Sequence, residues 1–149
     1  AKEITGSIVL ALLVYCLFNI AYAGFSAPFG NLSDKIGRKK VLISGYLLFL
    51  IVSISFIYVG KTAELVILFF LFGLVYAITH STQKAFVSDF AGEMKATAFG
   101  FYNGVIGIAS IIGGIAAGFL WDLSYTHLFV YTAGISLVSV ILLMFIKER

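Results

Sequence analysis

Long apolar runs broken by short charged punctuation set the plan of this chain. Uncharged windows cover residues 4–33, 41–60, 65–83, 96–121 and 123–146. A helix needs about 20 mostly apolar residues to cross the hydrocarbon core of a bilayer, so each window is long enough for one crossing. The expected helices are 8–27, 41–59, 65–86, 96–120 and 128–146. The fold class is therefore an all-α integral membrane protein with five transmembrane helices, forming one transmembrane domain over 1–149.

Polar residues inside the windows say more than the apolar ones. Tyr15, Asn19, Tyr22 and Ser26 fall at i, i+4, i+7 and i+11, which puts them on one face of the first helix. Tyr76, His80 and Gln83 share a face of the third helix, and Asn103 with Ser110 a face of the fourth. A polar group in hydrocarbon is costly without a partner. These faces are expected to look either into a solute path or into hydrogen bonds with neighbouring helices. His80 is the one titratable side chain well inside a window, about 6 Å above Lys84 at about 1.5 Å per residue. The second and fifth helices carry only scattered serines and read as plain, lipid-facing segments, with Tyr46 and Tyr58 as interfacial anchors of the second. The fourth carries Gly100, Gly104, Gly107, Gly114 and Gly118 down one side, with two GxxxG pairs, which predicts close approach of another helix.

The turn after the first helix concentrates charge. Gly30 and Gly37 supply backbone freedom, and Pro28 is expected to end or kink the incoming helix. Lys35, Arg38, Lys39 and Lys40 surround a lone Asp34. Gly30, Asp34, Lys35, Gly37, Arg38 and Lys39 fill the pattern G-x-x-x-D-[RK]-x-G-[RK]-[RK], and here the chain resembles the major facilitator superfamily of twelve-helix secondary transporters. In that family the pattern lies between helices two and three and recurs between eight and nine. The resemblance implies a conformational role for these six residues during alternating access, where a plain positive-inside loop is the alternative.

Composition narrows the class. Hydrophobic residues make up 61% of the 149 residues and charged ones 11%, which no soluble domain of this length matches. With the Gly30–Lys40 turn inside, the inner basic residues are Lys35, Arg38, Lys39, Lys40, Lys84, Lys95, Lys147 and Arg149, and the outer ones Lys2 and Lys61. Cytoplasmic loops carry the excess of Lys and Arg, so the N-terminus of the segment is expected outside and the C-terminus in the cytoplasm, with a prokaryotic plasma membrane, such as a cell inner membrane, as the location. The net charge of +3 reflects this orientation and makes no case for nucleic acid. Cys16 has no partner, and no cofactor or metal site is expected, since no helix carries HExxH, a Ser-Lys dyad or paired aspartates.

Gly30-Asn31-Leu32-Ser33-Asp34 and Gly118-Phe119-Leu120-Trp121-Asp122 both read G-x-L-x-D, one on each side of the membrane, and each precedes a plain helix. Inverted three-helix repeats would leave this echo. On that reading the chain resembles helices eight to twelve of the family fold, a fragment of a twelve-helix carrier lacking the first helix of its half; helices two to six are the alternative. The function implied is a secondary transporter segment moving a small solute, with no enzymatic activity. Its partners would be the lipid bilayer, a small-molecule solute, and the missing N-terminal helices or another subunit. A non-transporting scaffold or regulatory subunit derived from a transporter is the competing reading.

Overall fold

A computed structural model describes residues 8–146. They form five helices and, among the described residues, no strand: α1 (Ile8–Ile36), α2 (Arg38–Tyr58), α3 (Thr62–Phe90), α4 (Lys95–Leu123) and α5 (Tyr125–Phe145). All five are long and apolar enough to cross a membrane. Four of the five helices outrun their uncharged windows, and α5 lies within its own. Charge limits how much of a helix lies in hydrocarbon, while backbone hydrogen bonding continues through the headgroup zone. So α1 continues through Pro28, Gly30, Asp34 and Lys35 to Ile36, and Pro28 neither ends it nor stops its hydrogen bonding further on.

Gly30 is helical, contrary to the expectation of a special turn conformation. The whole reversal between α1 and α2 falls on Gly37, with φ 100°, a region that side chains disfavour. A helix-type bond from the Gly37 N–H to the Ser33 carbonyl (3.2 Å) closes α1, and the Gly37 carbonyl accepts from the Val41 N–H (3.3 Å) to open α2. At the opposite end of α2, Glu64 accepts from the Gly60 and Lys61 N–H groups at 3.0 and 3.2 Å, satisfying donors at the start of α3. The α4–α5 reversal is also one residue, Ser124, whose hydroxyl caps α5 by accepting from the Thr126 N–H at 3.3 Å.

The core runs along α3. It packs most extensively against α1 and then against α2, and α2 in turn packs against α5. Two glycines permit these approaches. A Cβ on Gly73 would stand 2.6 Å from the Phe18 carbonyl oxygen and 2.8 Å from the Ala21 Cβ, so α1 and α3 meet there almost backbone to backbone. A Cβ on Gly45 would meet the side chains of Ile78 and Thr79 at 2.8 and 2.9 Å, which sets the α2–α3 crossing. The second helix is therefore not the peripheral segment its plain sequence suggested: it buries Val41, Leu42, Gly45, Val52 and Ser53 between α3 and α5, and shows lipid only the other side, with Leu47, Ile51, Ile54 and Tyr58 exposed. Ser136 of α5 adds a hydrogen bond to the Tyr46 carbonyl at 2.6 Å. By contrast, α4 buries no residue at all.

Candidate functional site

The charged turn builds a three-helix ion cluster. Arg38, the first residue of α2, pairs with Asp34 in the last turn of α1 (Nη1–Oδ1 2.8 Å) and forks onto Asp89 near the end of α3. The Asp89 contact uses Nε to one carboxylate oxygen and Nη2 to the other at 3.2 Å. The fixed planar fork of guanidinium makes this two-pronged grip possible, and lysine could not reproduce it. Arg38 also reaches the hydroxyl of Ser33 at 3.4 Å, and that hydroxyl donates to the Gly30 carbonyl at 2.7 Å. Both carboxylates remain half-exposed, at 56% for Asp34 and 52% for Asp89. Pairs this open to solvent are worth about 0.2–1 kcal/mol each, enough to bias a conformational equilibrium and too little to lock it.

Asp89 does not stand out in the sequence, where the Ser88–Lys95 stretch reads as solvated surface. The available signal was its place: α3 and the α1–α2 turn end on the same side of the membrane, and a surplus of cations there calls for a carboxylate. Lys39 has a different task from its neighbours. Its ammonium donates to the carbonyls of Met144 (3.0 Å) and Ile146 (2.6 Å), and so caps the C-terminal end of α5 with positive charge. Lys35 is exposed at the edge of the cluster.

The polar faces divide when mapped onto the bundle. Asn19 and Ser26 turn back onto their own helix, donating to the Tyr15 carbonyl at 2.9 Å and the Tyr22 carbonyl at 2.5 Å. Gln83 bridges helices: its Nε2 donates to the Tyr46 hydroxyl at 2.7 Å, while its Oε1 accepts from the Tyr102 hydroxyl of α4 at 2.9 Å. Tyr46 is thus an interhelical hydrogen-bonding residue, not the interfacial anchor its position implied. Asn103 and Ser110 are exposed on α4.

What remains is an aromatic cluster across the α1–α3 contact. Tyr76 stacks on His80 with ring centroids 4.8 Å apart and planes 18° apart, and Tyr22 meets both edge-on at 6.1 Å. Phe18 supports Tyr76 from below at 5.2 Å, and Tyr15 stacks on Phe18 at 5.8 Å. Among the described residues, no hydrogen bond engages the hydroxyls of Tyr15, Tyr22 and Tyr76 or the His80 ring nitrogens. The stripe Gly100, Gly104, Gly107, Gly114 and Gly118 is likewise open, with no atom within 4 Å of the Cβ that each would carry. The tight approaches inside the bundle belong to Gly45 and Gly73, single glycines set in bulky apolar runs, without the repeated GxxxG spacing that marks a packing stripe in a sequence. No three His, Cys, Asp or Glu side chains come together among the described residues.

Five apolar helices long enough to cross a membrane, two pairs of them joined by one-residue reversals, with an arginine bridging two carboxylates at their ends, define an integral membrane protein. The family model of the Major Facilitator Superfamily matches residues 1–149, and the chain belongs to that superfamily. It is 44% identical over 141 residues to an uncharacterised MFS-type transporter of Methanocaldococcus jannaschii, covering 94% of this chain and 35% of that protein. It is 28% identical to the class H tetracycline resistance protein of Pasteurella multocida, over 83% of this chain and 31% of the relative. With citrate exporter 1 of Aspergillus niger the identity is 26%, over 97% and 28%. The chain thus spans about a third of the length of these relatives. No solved structure matches it.

Proposed function

We propose that this chain is the C-terminal part, equivalent to helices eight to twelve, of a secondary transporter that moves a small solute by alternating access. The observation that carries the proposal is the Arg38–Asp34–Asp89 cluster: it joins the ends of three helices by exposed, breakable pairs, as a latch between two conformations requires. The matched lengths of α2 and α5 support the inverted-repeat plan of such carriers. On the excess of basic residues, the latch faces the cytoplasm of a prokaryotic cell.

Tyr15, Tyr22, Tyr76 and His80 supply this segment's share of the solute path, because their polar groups are left for water or solute. Asn19, Gln83 and Asn103 contribute less: the first two are engaged within the protein, and the third stands apart on α4. The names of two relatives, a tetracycline resistance protein and a citrate exporter, support outward movement of a small organic molecule. The open glycine face of α4 suits the remaining helices of the carrier. It would suit a partner of a non-transporting scaffold equally, but a scaffold has no use for unengaged polar rings on α1 and α3.

The test uses the full-length carrier in proteoliposomes. Asp34→Asn should slow transport up to about fivefold, equivalent to about 1 kcal/mol, while solute binding changes by less than about twofold. Equal loss of binding and transport would remove the latch role.

A further inference from the structure

The half of the bundle remote from the Arg38 cluster contains an apolar cavity of about 470 Å³, and nothing in the transport reading uses it. Its origin is the way α2 is held. The hydrogen bonds that join α2 to α3 and α5 among the described residues run through Arg38, Lys39 and Tyr46, all in the half of α2 nearer the cluster. The tight contact of α2 with α3 at Gly45 lies in the same half. Toward Tyr58 the contacts are made by large rings together with the buried Val52, Ser53 and Leu65. Phe56 lies parallel to Phe129 of α5 at 5.1 Å and edge-on to Phe69 of α3 at 5.7 Å, and Phe49 stacks on Phe72 at 6.0 Å. These rings line a partly open space between the three helices.

We propose that this space is a binding site for a hydrocarbon chain of a membrane lipid, taken from the leaflet remote from the Arg38 cluster. The volume falls within the range of about 300–1,000 Å³ typical of small-molecule sites. The wall is almost wholly apolar: phenylalanines from α2, α3 and α5, with Val52, Val59 and Leu65. Three hydroxyls line it, those of Ser53, Tyr125 and Thr132, and that of Thr132 is already satisfied, donating to the Phe129 carbonyl at 3.0 Å. No Asp, Glu, Lys or Arg lines it. A space with so few polar groups holds water poorly, since water needs two or more polar partners, and left empty it forfeits dispersion contacts along its walls. Trp121 and Tyr125 stand where α4 turns into α5, the position at which amphipathic rings meet lipid headgroups. A chain passing beneath them keeps its headgroup at the interface and its methylenes among the rings. The lipid is also the one apolar molecule always present at that depth, which favours it over a free aromatic solute.

The experiment reconstitutes the full-length carrier in phosphatidylcholine vesicles containing a small fraction of phosphatidylcholine with a diazirine near the end of one acyl chain. After illumination, adducts are mapped by peptide mass spectrometry. A lipid site predicts adducts concentrated on residues 49–72 and 121–132, competed saturably by unlabelled lipid, and reduced about tenfold by Thr132→Phe, which adds a ring to the lining. Labelling of the exposed α5 residues Val138, Leu142 and Met144 should instead fall in simple proportion to dilution and be untouched by the variant. If the cavity segments dilute in the same proportion as these, or label no more strongly than they do, the site does not exist. Should Thr132→Phe fail to give a monodisperse carrier, the dilution series on the unaltered protein decides alone. Labelling abolished by toluene but not by unlabelled lipid would identify a site for aromatic solutes and overturn the lipid assignment.

Discussion

The α1–α2 and α4–α5 units share one backbone plan and differ in nearly everything their side chains do. Each is a long helix, a single non-helical residue and a 21-residue helix. In the first unit the reversal is a glycine with positive φ, flanked by Asp34 and Arg38, and the long helix is locked onto α3 at Gly73. In the second the reversal is extended Ser124 with a side-chain cap, and the long helix buries nothing. Equal length therefore says nothing of equal role. One unit is braced inside the chain, whereas the other offers its small-residue face to whatever lies beyond.

The difference can be broken most directly at its glycines. Gly73→Ala would drive a methyl group against the Phe18 carbonyl, which cannot move without shifting α1, so a loss of about 1–3 kcal/mol is expected. It would be read as a lowered thermal unfolding midpoint of the purified carrier. Gly104→Ala meets nothing in this chain and should leave that midpoint unchanged when the α1–α3 bundle is what melts; a drop as large as that of Gly73→Ala would show that α4 is clasped as tightly from outside.

The two reversals rank next in expected effect. Gly37→Ala forces a Cβ into the left-handed region and is expected to cost about 1–2 kcal/mol. Ser124→Ala removes one cap and is expected to cost about 0.5–2 kcal/mol, typically near 1. Chemical denaturation of the two variants in the same detergent compares them, and a Ser124 effect exceeding that of Gly37 would mean that the capped reversal is the more important of the two.

Smaller still is Arg38→Lys. It keeps the charge but cannot fork onto Asp89, so folding should hold while transport slows severalfold; unaltered transport would mean that charge alone serves. The smallest effect is expected at Thr82, fully buried in α3 with a hydroxyl that has no partner. Thr82→Val removes that unsatisfied group at nearly constant volume, so stability should stay level or rise slightly. A clear loss would reveal a bonded group or water behind it.

The span count was legible because hydrocarbon tolerates so few charges, and the uncharged windows alone located five crossings. Helix ends were less legible, since Asp34 and Lys35 leave the hydrocarbon without leaving the helix. The signature residues Asp34, Gly37, Arg38 and Lys39 were found, yet their partners Asp89 and the carbonyls of Met144 and Ile146 lie 51 or more residues away, at a distance that periodicity does not reach. Same-face spacing grouped Gln83 with Tyr76 and His80 correctly by angle. It could not show that a long amide side chain would lean toward Tyr46 and Tyr102 instead.

One-residue reversals leave a helix pair without slack. Gly37 is the entire joint between α1 and α2, so a turn about its two dihedral angles passes undiminished into a rod of 21 residues. At about 1.5 Å per residue that rod is about 31 Å long, and a swivel of about 10° at the joint carries its tip about 5 Å. For the latch proposed above, the segment is a lever whose fulcrum is a single α-carbon, with Arg38 placed beside the pivot, where the force needed to hold the arm still is greatest and the travel needed to release it is least.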